Sequence, residues 1–168
     1  MQKIDLPRNH FVVIKEKLMN FLTNENNFVT NASNFTSLIF HYFDSVSWAG
    51  FYFLSNNNLV LGPYQGKIAC VRIPISDGVC GSSVRGKRTI IVPDVHKFPG
   101  YIPCDPTANS EMVVPVLYQK KVIGVFDLDS PIYNRFTETE SKFVSELLEL
   151  LINNSKVEPV IQYYEAVG

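Results

Sequence analysis

The sequence predicts an α+β fold, with a central, mainly antiparallel β-sheet of about six strands and with helices from the N- and C-terminal parts of the chain packed on one face. Two observations lead to this prediction. Apolar residues recur at helical spacing near both ends, whereas the middle, about residues 46–128, holds short apolar runs divided by turn residues. Short turns favour antiparallel pairing, and the terminal helices can then cover the same face of the sheet.

Three helices are predicted, over about residues 8–22, 28–43 and 137–153. In each of them apolar residues fall three and four positions apart, which places them on one face. Several Thr and Asn residues lower the helix propensity of the second segment. The third has the clearest start, because Thr137 and Glu140 form the sequence pattern of a capping box.

Six strands are predicted between the second and third helices. The first is rich in aromatic residues, and the Asn residues at 56–58 mark a turn into the second. The glycines in the segment 76–81 predict a tight turn, since they lack the spacing of a phosphate-binding loop. Another turn, at 118–120, separates the last two strands. The predicted strands are 46–54, 59–61, 68–75, 89–92, 112–117 and 121–128.

Composition and charge limit the classes of function. A chain of 168 residues, 46% of them hydrophobic, can form one domain over 1–168 that buries about 70% of its unfolded surface. The 15 Lys and Arg balance 16 Asp and Glu, so no basic surface for nucleic acid or an anionic membrane is expected. Charged residues interrupt the first 19 positions, which argues against a signal peptide. We therefore expect a cytoplasmic protein.

The three cysteines, Cys70, Cys80 and Cys104, are an odd number for a reducing compartment, so a structural disulfide framework is not expected. A zinc site formed by the three cysteines with His96 as a fourth ligand would lack the usual paired spacing of its ligands. All three cysteines could be small buried hydrophobic residues. Cys104, however, lies in an irregular loop over about 93–110 that contains four prolines, and a loop of this length inside a compact domain is usually functional.

Two carboxylates end an apolar strand. Asp127 and Asp129 are two residues apart, so in an extended chain both side chains point to the same face. Glu111 begins the preceding strand, and the loop that carries Cys104 leads directly into it. Crowded carboxyl groups raise at least one pKa, which would hold a proton near neutral pH beside a cysteine nucleophile. A solvated strand end is the alternative interpretation of the Asp pair.

Trp48 and Tyr52 lie four positions apart on the first predicted strand and so share a face. Aromatic residues at such spacing usually belong to the core. The alternative is an aromatic cage for a cationic or sulfonium-like group.

From Trp48 to Pro131 the chain resembles the free methionine-(R)-sulfoxide reductases, a family of small single-domain enzymes with the GAF fold. The resemblance covers half of the chain in order and includes all three cysteine positions. Tyr101 stands where the family more often has His. The matching segments are WAGFY (48–52), LGPYQGKIACVRIPI (61–75), DGVCGSS (77–83), VPDVHKFPGYIPCD (92–105), NSEMVVPV (109–116) and GVFDLDSP (124–131).

The resemblance implies a catalytic nucleophile at Cys104 and a resolving partner at Cys70, with Cys80 as an accessory or alternative partner. The other implied site residues are Glu111, Asp127 and Asp129, as proton-donating and substrate-binding carboxylates, and Trp48 and Tyr52, as aromatic walls of the pocket.

The implied reaction is the thiol-dependent reduction of free L-methionine-(R)-sulfoxide to L-methionine, with no metal and no organic cofactor. The nucleophilic cysteine would become a sulfenic acid and then an intramolecular disulfide, which thioredoxin or a similar dithiol protein would reduce. The family also implies a homodimer. The principal alternative is a non-catalytic GAF domain that senses a small molecule or a redox state, and a zinc-binding or structural protein is the third interpretation.

Overall fold

The structure is a computed structural model that describes residues 8–167, and its strands form one six-stranded sheet. The strands are β1 (Trp48–Ser55), β2 (Asn58–Gln65), β3 (Arg72–Pro74), β4 (Ile90–Val92), β5 (Ser110–Tyr118) and β6 (Lys121–Ser130). Their order is β3-β2-β1-β6-β5-β4, and every neighbouring pair is antiparallel. The prediction of a mainly antiparallel sheet of about six strands is confirmed.

The described chain also forms helices α1 (Arg8–Leu22), α2 (Phe28–Tyr42), α3 (Gly78–Gly86), α4 (Glu138–Asn153) and α5 (Glu158–Ala166). The first, second and fourth agree with the predicted helices to within one residue at each end. Thr137 and Glu140 form the predicted capping box at the start of α4. Within residues 8–167, no helix has both the length and the apolar surface needed to cross a membrane.

Helices from both ends of the chain pack on one face of the sheet, as predicted. Phe51 of β1 and Phe126 of β6 point to this face and meet Phe35 of α2, whose ring centroid lies 5.0 Å from that of Phe126. Leu147 of α4 belongs to the same buried cluster. Successive side chains of a strand alternate between faces, so residues such as Trp48, Tyr52 and Asp127 belong to the opposite face.

The opposite face is covered by α3 and by the long loop before β5, and here two predictions were wrong. The tight turn predicted for 76–81 ends at residue 77, because α3 begins at Gly78, where φ is +69°. Val79 and Val84 of this helix pack on the sheet. A nine-residue helix with three glycines has too little periodicity to be found from sequence.

The predicted strand 68–75 is also too long, since only 72–74 pair with β2. Two of the preceding carbonyls accept hydrogen bonds from side chains: Trp48 Nε1 donates to the Lys67 carbonyl at 3.1 Å, and Tyr52 Oη donates to the Cys70 carbonyl at 2.9 Å. The helix α5 was not predicted.

A buried ion pair fastens the loop after β6 to α4. Arg135 Nη1 donates to Glu140 Oε1 at 2.7 Å, and Arg135 Nε donates to the backbone carbonyl of Asp44 at 2.7 Å. The two charged side chains are 1% and 0% exposed. Because neither charge has access to water, each depends on the other for compensation.

We predict that Glu140→Gln lowers the free energy of unfolding by about 3 kcal/mol, because it leaves the buried Arg135 charge uncompensated while keeping an amide that can cap α4. Urea denaturation measures this change. The matched control is Glu146→Gln, which breaks the exposed ion pair between Lys15 and Glu146 and should cost less than about 1 kcal/mol. Equal losses in the two variants would contradict this account of the pair.

Candidate active site

Strand pairing brings the three predicted carboxylates together. Glu111 of β5 lies opposite Asp129 of β6, and Asp129 in turn lies opposite Trp48 of β1, so these three residues form one row across the sheet. Asp127 lies in the next row on the same face, opposite Gly50. The three carboxylates are therefore neighbours, as the sequence predicts, but they are buried and do not form a solvated strand end: their exposures are 5%, 7% and 7% for Glu111, Asp127 and Asp129.

A small cavity lies over this carboxylate cluster. Its volume is about 20 Å³, which is the room of roughly one water molecule. The floor comes from the sheet, one side from Gly78 to Cys80 at the start of α3, and the cover from Tyr101 to Asp105 in the loop before β5. Ligand pockets usually exceed about 300 Å³, so the site is closed in the form that the structure shows.

Burial and mutual repulsion change the protonation of the cluster. Desolvation raises the pKa of Asp127 to about 7, although hydrogen bonds with Cys80 and Glu111 oppose the rise. The pKa of Glu111 is raised well above its usual value by desolvation and then by the charges of Asp127 and Asp129. Desolvation and Asp127 act in the same direction on the pKa of Asp129. The cluster therefore keeps protons at neutral pH, and Asp127 is the member that ionises most easily.

One carboxylate oxygen in this cluster is left without a partner. Asp127 Oδ1 is buried and accepts no hydrogen bond from any described residue. A buried acceptor of this kind is costly unless a ligand or water supplies a donor. Asp127 also lines the cavity, so it can accept a hydrogen bond from a cationic or N–H group placed there.

The structure joins Cys70 and Cys104 in a disulfide, with their Cα atoms 5.3 Å apart. Cys104 lines the cavity with the carboxylates, whereas Cys70 lies in the segment between β2 and β3. Cys80 is a free, buried thiol in the first turn of α3, with its Sγ 4.0 Å from Glu111 Oε1. Burial and the carboxylates raise the pKa of the Cys80 thiol well above its usual value, so it is a poor nucleophile in this environment.

Trp48 and Tyr52 lie on the same sheet face as the carboxylates but do not line the closed cavity. Their rings stack with centroids 5.7 Å apart, and Tyr64 also stacks on Trp48, at 5.5 Å. Both are almost fully buried. Burial raises the pKa of Tyr52 most, and the charge of Asp127 adds to this shift.

The residues of the possible zinc site, the three cysteines and His96, do not all lie together in the structure. His96 is exposed, contacts Asn109 Oδ1 through Nε2 at 3.1 Å, and does not line the cavity. Among the described residues, Cys80, Glu111 and Asp127 have potential ligand atoms within 4.8 Å of one another. The same three groups lie in the carboxylate cavity, where hydrogen bonds join them to one another.

Sequence reasoning missed Asp105, which follows Cys104 and is 5% exposed. Its Oδ1 accepts a hydrogen bond from the Thr107 backbone N–H at 2.9 Å and lies 3.6 Å from Lys67 Nζ. These contacts tie the loop of Cys104 to the segment of Cys70. The Asp-Pro-Thr sequence at 105–107 was the available signal, since Asp side chains often bond to the backbone two residues later.

Comparison with known proteins agrees with the family resemblance found in the sequence. The family model of the GAF domain matches residues 37–152. The free methionine-R-sulfoxide reductase of Escherichia coli strain K12 is 44% identical over 116 residues, which are 69% of this chain and 70% of the relative. The chain belongs to the free methionine-R-sulfoxide reductase family of GAF-domain proteins.

Solved structures of this reductase family show the same fold. The reduced form of fRMsr from Staphylococcus aureus has a TM-score of 0.85 at 36% identity, covering 93% of this chain and 100% of that one. Free methionine-R-sulfoxide reductase from Neisseria meningitidis, solved in complex with its substrate, has a TM-score of 0.83 at 30% identity, covering 92% and 94%. The GAF fold predicted from the sequence is confirmed.

The raised pKa of Asp127 predicts how stability changes with pH. An unfolded Asp releases its proton near pH 4, whereas Asp127 in the folded protein holds it until about pH 7. The folded state therefore binds more protons in this window, and the free energy of unfolding falls as the pH rises through it. We predict that Asp127→Asn removes part of this loss, and so gains at least about 1 kcal/mol relative to wild type between pH 5 and pH 8.

Urea denaturation at the two pH values measures this gain. The control is Asp94→Asn, at a partly exposed carboxylate whose pKa is lowered by its contact with Lys97 and which gives no such gain. A wild-type stability that rises from pH 5 to pH 8, with no difference in Asp127→Asn, would contradict the assignment.

Proposed function

We propose that the protein reduces free L-methionine-(R)-sulfoxide to L-methionine, with Cys104 as the nucleophile and Cys70 as the resolving thiol. Its membership of the reductase family supports the class of reaction. The observation that carries the mechanism is the Cys70–Cys104 disulfide at the edge of a cavity lined by three buried carboxyl groups. This arrangement supports the proposal that a nucleophile, a second thiol and a proton source act at one site.

The first step uses the thiolate of Cys104, which attacks the sulfoxide sulfur. The S–O oxygen needs a proton, and a carboxylic acid that stays protonated at neutral pH can supply it. Glu111 fits this role best, because repulsion by both aspartates adds to burial in raising its pKa. Oxygen transfer releases L-methionine and leaves Cys104 as a sulfenic acid, so the cysteine sulfur is oxidised as the substrate sulfur is reduced.

The second step forms the disulfide. The Cys70 thiol attacks the sulfur of the Cys104 sulfenic acid, an S–S bond forms and water leaves. The bond between Cys70 and Cys104, beside a closed cavity, supports this step. Thioredoxin or a similar dithiol protein then reduces the disulfide by exchange.

Selection of the free amino acid follows from charge. A free amino acid carries an ammonium group that a methionine sulfoxide within a peptide lacks, and a buried carboxylate favours such a group strongly. Asp127 is the best acceptor, because its Oδ1 has no partner among the described residues and it ionises first. Asp129 is the second carboxylate of the same face. Trp48 and Tyr52, beside the cluster, are suited to contact the thioether end of the substrate.

We predict different failures for the cysteine variants. Cys104→Ser should release no methionine, because the nucleophile is lost. Cys70→Ser should release one methionine per chain and then stop as a sulfenic acid, whereas Cys80→Ser should keep more than one turnover because Cys70 and Cys104 still pair. Methionine release in the presence of excess thioredoxin, with its reductase and NADPH, measures all three. Multiple turnover by Cys104→Ser would contradict the proposal, and so would a requirement for Cys80 in place of Cys70.

We also predict that the rate of methionine release falls on the alkaline side of the pH range, as Glu111, whose pKa is raised well above its usual value, loses its proton. Glu111→Gln should lower the rate by about 100-fold or more and remove the alkaline fall. Single-turnover measurements on reduced protein from pH 5 to pH 9 test both statements. A rate that rises continuously to pH 9 in the wild type would exclude a carboxylic acid as the proton donor.

A further inference from the structure

The segment that carries Cys70 displays unusually exposed apolar side chains. Ile68 is 89% exposed and Val71 is 71% exposed, which makes them the two most exposed large hydrophobic residues of the described chain. They flank Cys70 on both sides in sequence. Single exposed apolar residues need no explanation, but two of them on either side of a disulfide sulfur indicate a contact surface.

The backbone of this segment is fixed, so the exposure of these side chains does not come from a loose loop. Three of its carbonyls accept hydrogen bonds from the sheet: Trp48 Nε1 donates to Lys67, Tyr52 Oη donates to Cys70, and the Leu61 backbone N–H donates to Val71 at 3.1 Å. With the carbonyls held toward the sheet, Ile68 and Val71 stay in solvent. Burying either of them against a partner would be favourable.

The segment leads directly into an open edge of the sheet. In the described sheet, β3 pairs with β2 alone and forms one end of the strand order. An edge strand can accept a partner's extended backbone. The Cys70 surface, defined here as Lys67, Ile68, Val71 and Arg72, thus lies next to a sheet edge and carries two apolar and two cationic side chains.

The two sulfurs of the disulfide face different surroundings. Cys104 lines the cavity beside Glu111, Asp127 and Asp129, and Asp105 follows it in the chain. Cys104 belongs to the cover of the closed cavity, whereas Cys70 lies within the Cys70 surface. Attack on Cys70 makes Cys104 the leaving group and so returns the proposed nucleophile to the cavity, which favours Cys70 as the sulfur attacked.

We propose that the Cys70 surface is the docking site of a Cys-x-x-Cys dithiol protein of the thioredoxin class, which attacks the sulfur of Cys70. This inference rests on the proposed function, because it concerns the reduction of the disulfide which that function forms. The occupant is set by the chemistry of the site: a disulfide at the centre of the surface needs an external dithiol to reduce it.

The exchange balances in two steps. The partner's first thiolate attacks Cys70 Sγ, the Cys70–Cys104 bond breaks, and Cys104 leaves as a thiolate beside the substrate cavity. The partner's second thiol then attacks its own first sulfur and releases Cys70. The partner is oxidised to a disulfide by two electrons, the proton of its second thiol passes to one of the two released sulfurs, and the other remains a thiolate.

The test is the double variant Ile68→Asp with Val71→Asp, assayed with thioredoxin and separately with dithiothreitol. We expect the KM for thioredoxin to rise about tenfold or more, because the apolar contact is lost, while turnover with dithiothreitol stays within about twofold of wild type. The matched control is Val12→Asp, at an exposed position of α1, 57% exposed, which should change neither assay. Thermal denaturation of the double variant tests whether the fold is retained.

Trapping identifies the sulfur that is attacked. A thioredoxin whose second active-site cysteine is replaced by Ser stops at the mixed disulfide, and peptide mass spectrometry should find it on Cys70. A mixed disulfide on Cys104 would overturn the proposal, as would equal loss with both reductants or no loss with either. If the wild type is dimeric and the double variant monomeric, the surface is a subunit interface and the proposal also fails.

A single-turnover control separates this proposal from the proposed function. Reduced wild-type protein without any reductant should release one methionine per chain. If it does so, and dithiothreitol but not thioredoxin then reduces the disulfide, the docking proposal alone fails. If no methionine is released, the proposed function fails first.

Discussion

The pairing of β5 with β6 is the constraint on which the site depends. It sets Glu111 opposite Asp129, with Asp127 one row further along the same face, so one hairpin register concentrates three carboxyl groups under a cover of α3 and loop. A slip of one residue on either strand would move its carboxylates to the helix-covered face, where the phenylalanines pack. Packing of that apolar core therefore fixes the strand register, and the register fixes the positions of the three carboxyl groups.

Burial of this cluster carries a cost in stability that the rest of the fold offsets. Three carboxyl groups without a neighbouring cation must keep protons at neutral pH, and Asp127 Oδ1 has no partner within the described residues. A cost in stability of this kind is expected where buried groups serve ligand binding rather than stability. Glu140 is similarly buried but differs from this cluster, because Arg135 Nη1 lies 2.7 Å from its carboxylate and the ion pair stabilises the fold.

The sequence predicted the elements whose signals are local. Helical periodicity, the capping box at Thr137 and Glu140, and the even spacing of Asp127 and Asp129 each depend on residues close in the chain. The helix α3 could not be found, because glycines dominate its start and its packing depends on the sheet beneath it. The link between Lys67 and Asp105 joins residues far apart in sequence, and only the folded chain brings them together. The roles of Cys70, Cys80 and Cys104 came from family resemblance, since spacing alone left buried thiols as an equal interpretation.

The most direct test of the account is a single-turnover measurement on fully reduced protein, in which methionine release and the loss of thiols are counted together. Separate samples receive free L-methionine-(R)-sulfoxide, the (S) epimer, and the N-acetylated (R) sulfoxide. The account predicts that the free (R) epimer alone is reduced, with one methionine formed per chain and two of the three thiols consumed, those of Cys70 and Cys104. The N-acetylated sulfoxide should give no N-acetylmethionine and consume no thiol. Survival of all three thiols with no methionine formed from any compound would contradict it.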